Sequence, residues 1–238
     1  MRTTEERAMK IGIIGAGNIG GALASRLVQL GHEVSIANSR GPATLREVEA
    51  ETGATAVEVR DAARGKDVIV VTIPEKHVPD LPSDLFDGVG EDVLVIDTGN
   101  YYPRHRDGAI EAIEAGTPES LWVSQQIGHP VVKAFNNIYA QHLRDKGRPP
   151  GSPERFALPV AGDQPAKGTV MGLVEELGFD AVDAGSLEES WRQQPETPVY
   201  GTDFDADGVR RGLAEASKER PEDHRATPNS PGTYTDPA

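Results

Sequence analysis

The sequence predicts an α/β fold, a doubly wound, mainly parallel sheet of about eight strands with helices on both faces. Three observations predict it. Short apolar runs alternate with amphipathic stretches along most of the chain, the pattern of strand–helix–strand crossovers. Several runs are apolar on both faces, such as Val-Ile-Val-Val at 68–71 and Val-Leu-Val-Ile at 93–96, as strands covered on both sides must be. The first run leads directly into Gly15, Gly17 and Gly20, spaced G-x-G-x-x-G.

Taken in order, residues 10–14, 33–37, 67–73, 93–97, 131–134, 156–161 and 181–183 are apolar runs bounded by turn residues and read as strands, with a weaker one at 55–57. The first helix places Ile19, Leu23, Leu27 and Leu30 on one stripe and ends at Gly31, where a left-handed cap belongs. Further helices are expected at 43–51, 79–86, 108–115, 163–177 and 206–218. Residues 144–153, rich in Gly, Pro and charge, read as an exposed loop. A single domain over 9–218 follows, in which the part after about 140 completes the sheet, with a loose leader at 1–8. Residues 219–238 hold four prolines, and Tyr234 is their one large apolar side chain. Such a segment buries too little to offset its ordering entropy, so a disordered tail is expected.

The 238 residues carry a net charge of −14 and no cysteine. Disulfides, thiolate catalysis and zinc–thiolate or iron–sulfur sites are thereby excluded. No basic stripe suggests nucleic acid. No apolar run approaches the ~20 residues of a membrane span, and residues 1–10 lack the apolar stretch of a signal peptide. A cytoplasmic protein is expected. The six histidines show no metal-ligand spacing, so no metal site is expected.

The glycine motif has the context that gives it meaning: an apolar strand before it, an amphipathic helix after it, and a second strand ending about 20 residues on. That is a Rossmann-like dinucleotide site. Gly15 permits the tight turn, Gly17 lets the backbone approach a pyrophosphate, and Gly20 lets helix and sheet pack closely. The helix N-terminus offers N–H donors and the positive end of its dipole. At the tip of the second strand an NAD site usually carries Asp or Glu to accept from the ribose 2′-OH. Here the tip reads Asn38-Ser39-Arg40. A carboxylate would repel a 2′-phosphate, whereas a hydroxyl and a guanidinium would bind one, so the cofactor expected is NADP(H). The plain alternative is a polar turn opening a helix at Pro42.

Other strand ends lie on the carboxyl edge of the sheet, where ligands bind. Thr72-Ile73-Pro74 ends one, with His77 three residues on; His77 reads equally as a surface or capping histidine. Asn100 follows the next strand end. Ala134, Asn136 and Asn137 follow another, where the amides could meet a nicotinamide carboxamide or cap the next helix.

Residues 11–21 (Ile-Gly-Ile-Ile-Gly-Ala-Gly-Asn-Ile-Gly-Gly), Asn-Ser-Arg at 38–40, Thr-Ile-Pro-Glu-Lys-His at 72–77 and Val-Val-Lys-Ala-Phe-Asn at 131–136 resemble the NADP oxidoreductase family that uses the deazaflavin coenzyme F420. The same fold forms the cytosolic NADPH-oxidising domain of the six-transmembrane ferric reductases. The resemblance covers about residues 10–185. It implies that Gly15, Ala16, Gly17, Asn18, Ile19 and Gly20 cradle the pyrophosphate and that Ser39 and Arg40 hold the 2′-phosphate. Ile73, Pro74 and His77 would border the nicotinamide end. Hydride would pass directly to a deazaflavin, a flavin or another small acceptor, with no acid–base residue required. Residues 100–130 and the segments Trp191–Pro195 and 198–201 depart from the family pattern; these would shape the acceptor pocket. Tyr101, Tyr102 and Trp191 could stack on a planar ring or serve ordinary packing.

Two functions compete. The first is an NADP-dependent oxidoreductase acting on a small acceptor. The second is a non-catalytic NADPH-binding redox sensor that reports to a protein partner. Reductases of this kind are commonly homodimers, an expectation by analogy alone.

Overall fold

The computed structural model describes residues 8–233, 236 and 238. The expected leader, apart from residue 8, and Tyr234 of the expected tail lie outside these.

Strand β1 (Lys10–Ile14) runs into helix α1 (Asn18–Gln29) and returns as β2 (Glu33–Ala37). The chain continues through α2 (Arg46–Thr52), β3 (Thr55–Ala56), α3 (Val59–Ala63), β4 (Val68–Val71) and β5 (Leu94–Asp97). Short helices α4 (Glu111–Glu114) and α5 (Glu119–Ile127) precede β6 (Val132–Lys133). Then come α6 (Ala140–Asp145), β7 (Ala157–Val160), α7 (Ala166–Glu176), β8 (Asp180–Asp183) and α8 (Ala206–Glu215). The strands of the main sheet lie in the order β3-β2-β1-β4-β5-β6, all parallel. Strand order reverses between β1 and β4, which leaves a crevice outside their carboxyl ends.

Alternation along the strands divides the core. Ile11, Ile13, Val34, Ile36, Val68 and Val70 face α1, α6 and α7, where they meet Leu23, Leu27, Leu143, Val170 and Leu173. Ile14, Ile69, Val71 and Val95 face the other way, against Ala62, Ala63 and Leu85. Gly12 permits this second layer: a Cβ there would stand 1.7 Å from the Ala62 carbonyl, so α3 lies with its backbone on β1.

The expectation of about eight strands in one sheet is corrected. Six form the main sheet, and β7 and β8 pair in parallel as a separate two-stranded sheet. A single antiparallel bridge joins the two, with Lys133 N–H donating to Ala161 O at 2.8 Å and Ala161 N–H to Lys133 O at 3.0 Å. The ladder stops there because β6 is two residues long and Phe135 just beyond it turns left-handed, at φ 62°.

The helix expected over 79–86 is also corrected. A 3₁₀ turn spans Glu75–Asp80 and successive turns follow, because Pro79 and Pro82 lack the N–H donors a helix needs there. The helix expected over 108–115 is reduced to α4, preceded by a π turn over Pro103–Asp107. The tail expected to be disordered is instead held, over residues 220–226, by polar contacts. Arg104 donates to Glu222 O and Arg225 O, Ala226 N–H donates to Glu114, and Arg220 reaches Glu119. Apolar content, on which that expectation rested, does not count such bonds. Among the described residues no helix is long and apolar enough to cross a membrane.

Candidate functional site: a dinucleotide cleft at the sheet's switch point

Outside the carboxyl ends of β1, β2 and β4 lies a cleft of about 580 Å³. Backbone hydrogen bonds lock its floor: Gly15 N–H donates to Ala37 O at 2.9 Å and Thr72 N–H to Ile14 O at 2.9 Å. Gly15 has φ +119°, and a Cβ there would meet the Thr72 carbonyl at 2.2 Å. At Gly20 a Cβ would stand 2.0 Å from the Gly15 carbonyl. Gly17 differs: a Cβ there would meet nothing within 4 Å. Gly15 and Gly20 are therefore glycines because protein fills their space, while Gly17 leaves open room at the mouth of α1. Gly17 is also the N-cap of that helix, which has no side-chain cap and no acidic residue in its first turn. Its leading N–H groups and dipole face the cleft, as an anion-binding helix start requires.

Of the residues expected from sequence, Gly15, Ala16, Gly17, Asn38, Ser39, Arg40, Thr72, Ile73, Pro74 and His77 line this cleft. Asn18, Ile19 and Gly20 lie just beyond it, in the first turn of α1. At the β2 tip Asn38 shapes the turn: its Oδ1 accepts from Arg40 N–H at 3.0 Å and its Nδ2 donates to Thr44 at 2.9 Å. Ser39 and Arg40 stand exposed, and among the described residues Arg40 has no carboxylate within ion-pair distance. Glu58 faces the same corner, with Oε1 3.7 Å from where a Cβ of Gly41 would be. His77 pairs with Asp80 at 2.9 Å at the cleft's other end. Val59, Asp80 and Leu81 also line the cleft; the sequence reading missed them because they belong to elements it misplaced or did not find.

Asn100, Ala134 and Asn136 are not brought into the cleft lining. Ala134 is fully buried in the core. Asn136 Nδ2 donates to Asn100 Oδ1 at 3.0 Å and Gln193 O at 2.6 Å, while its Oδ1 accepts from Gln193 at 2.9 Å. The amides thus stitch the strand end to the 3₁₀ turn Leu187–Gln193. Tyr101 is a packing residue, buried among Val78, Ile113, Trp122 and Val123. Its hydroxyl lies 2.9 Å from both Gly108 O and Glu114 Oε1, and burial raises its pKa. Tyr102 contacts the Tyr200 hydroxyl, and Trp191 lies beside Arg192.

Behind Pro74 lies a buried charged layer that the sequence reading did not find. Glu75, Asp97, Glu119 and Lys133 are each at most 1% exposed. They come from the turn after β4, the end of β5, the start of α5 and the end of β6.

Comparison with known proteins agrees with this geometry. Residues 10–101 match the family described as NADP oxidoreductase, coenzyme F420-dependent. Among curated proteins, YjhV of Escherichia coli is 51% identical over 71 residues, covering 29% of this chain and 52% of its own. The metalloreductase STEAP3 of Rattus norvegicus is 31% identical over 187 residues, covering 76% of this chain and 35% of its own. This chain thus spans about half or less of the curated relatives it matches. A solved structure, SMa0349 of Sinorhizobium meliloti, superposes with a TM-score of 0.72 at 31% identity, covering 83% of this chain and 95% of that one. Over residues 10–101 the chain is thus similar to the family of coenzyme F420-dependent NADP oxidoreductases.

Proposed function

We propose that the chain binds NADPH in the β1–β4 cleft and acts as an oxidoreductase, passing hydride to a small planar acceptor of the deazaflavin or flavin kind. The observation that carries this reading is the β2 tip, where Ser39 and Arg40 face the cleft in place of a carboxylate. The room in front of Gly17 fits a pyrophosphate, and the start of α1 supplies its N–H groups. Arg40 and Ser39 would hold a 2′-phosphate by charge-assisted hydrogen bonds. Ile73 and Pro74 would hold a nicotinamide ring against the sheet edge and exclude water from one face. Bound NADPH supplies two electrons as hydride, and the acceptor takes these with one proton. The protein's contribution is alignment of the two rings at a separation of about 3–3.5 Å.

The test mixes purified protein with NADPH and follows cofactor absorbance while coenzyme F420, FMN or FAD is added in turn. Oxidation of NADPH with one of them supports the reductase. Tight NADPH binding with no oxidation by any acceptor contradicts it and moves the chain to the sensor class.

A further inference from the structure

Three buried carboxylates and two cations, buried Lys133 and partly buried Arg220, meet behind the nicotinamide end of the cleft. Glu119 is paired with cations: Arg220 donates to Oε1 at 2.8 Å, and Lys133 Nζ lies 3.6 Å from Oε2, an ion pair without a hydrogen bond. Lys133 also donates to Gly99 O at 3.2 Å. Asp97 is satisfied by neutral donors, the Ser120 hydroxyl at 2.6 Å and Gly99 N–H at 2.9 Å. Glu75 has neither kind of partner: both carboxyl oxygens are buried without a hydrogen bond. A methyl group built on Gly99 would stand 2.5 Å from Glu75 Oε1 and 3.0 Å from Asp97 Oδ1, so both carboxyls crowd the space that this glycine leaves open.

The charges do not balance if every group is ionised. Glu75, Asp97 and Glu119 against Lys133 and Arg220 leave one net negative charge. The remaining acid facing Glu75, Asp107 of the π turn, is already paired with Arg106 at 2.9 Å. An unpaired buried carboxylate is among the costliest groups a protein can hold. Among the described residues no group of acids or histidines is placed to hold a metal ion that could restore neutrality. One proton restores it. Burial first, then the negative neighbours Asp97 and Glu119, raise the proton affinity of Glu75 well above the ordinary carboxyl range, with Lys133 opposing.

We propose that Glu75 is a neutral carboxylic acid in the folded protein and a positioning residue for the cofactor, its proton seating the 73–77 lip over the nicotinamide end. The second half rests on the NADPH reading; the first does not. Pro74 and His77 line the cleft on either side of Glu75, and His77 N–H donates to Pro74 O at 2.9 Å, so the lip is one short turn. An ionised Glu75 beside Asp97 would repel it and drive the turn outward.

Infrared spectroscopy of the protein without cofactor is expected to show a protonated-carboxyl C=O band at neutral pH that is absent in Glu75→Gln. NADPH affinity of the wild type should fall with rising pH, by up to tenfold per pH unit once Glu75 ionises, while Glu75→Gln lacks that loss. Should Glu75→Gln fail to fold, Asp97→Asn serves, and the band should vanish at lower pH than in the wild type because a negative neighbour that raises the proton affinity of Glu75 is gone. Absence of the band overturns the proposal. Parallel pH profiles in wild type and Glu75→Gln overturn the positioning role. A protein that shows the band but binds no NADPH upholds the neutral acid and removes the positioning role together with the cofactor reading.

Discussion

At the β2 end of the cleft, Ser39 and Arg40 stand exposed on a strand tip, with one guanidinium and little else to hold a ligand. At the β4 end, Pro74 adjoins a buried layer in which Glu75, Asp97 and Glu119 lie with Lys133. The first end acts through a charge kept in water and available to a phosphate. The second acts through charges removed from water and unavailable to any ligand. On the proposed reading, affinity for a dinucleotide and the shape of its reactive end are therefore separable here, and substitutions should move one without the other.

The largest expected effect strikes both ends, because the glycine loop joins them. Gly20→Ala places a methyl group 2.0 Å from the Gly15 carbonyl, backbone against backbone. We expect a loss of about 3 kcal/mol or more in unfolding free energy. Gly17→Ala, which meets no atom within 4 Å, should cost less than about 1 kcal/mol of stability yet weaken dinucleotide binding. Chemical denaturation and a binding titration on both variants separate the two effects. Equal destabilisation would mean that Gly17 is packed like Gly20.

Next comes Arg220→Ala, which touches only the β4 end. It strips Glu119 of its 2.8 Å partner and leaves Lys133 as the nearest cation. Breaking one arm of a buried pair should cost about 2–3 kcal/mol. An unchanged denaturation midpoint would show that the C-terminal segment is not docked.

A smaller effect depends on pH. Because burial and nearby carboxylates raise the proton affinity of Glu75, the folded chain binds more protons than the unfolded one above the ordinary carboxyl value of 4.5. Stability must then fall as pH rises through the window between that value and the raised one. Glu75→Gln has no such proton to lose. Thermal melts should show its Tm gaining on the wild type as pH rises above the ordinary carboxyl range, and a constant difference would contradict the account.

The smallest effect belongs to the β2 end. Glu58 sits exposed beside Gly41 and opposes an incoming phosphate. Glu58→Gln should strengthen NADPH binding by a few tenths of a kcal/mol, about the worth of one screened surface charge, and leave NADH unchanged.

The two ends also differ in how far sequence reveals them. The glycine spacing, the apolar runs of β1, β4 and β5 and the β2 tip are local signals, and each lies in a few consecutive residues. The buried layer is not local. Glu75, Asp97, Glu119 and Lys133 come from four elements, and a lone acid in a sequence reads as exposed until packing covers it. Helix α5 escaped notice for the same reason, since Glu119 and Ser120 are buried polar residues at its start. Leu81, Leu85 and Phe86 imitate a helical stripe that Pro79 and Pro82 prevent. Asn136 offered a ligand's chemistry, but Gln193, distant in sequence, takes up its amide.

Isothermal titration calorimetry of NADPH and NADH against the wild type and Arg40→Ala tests the central claim most directly. The wild type should prefer NADPH, and the substitution should weaken NADPH by about 1.5–3 kcal/mol while leaving NADH nearly untouched. Equal affinities in the wild type, or equal losses for both dinucleotides, would contradict the claim that the β2 tip is built for a 2′-phosphate.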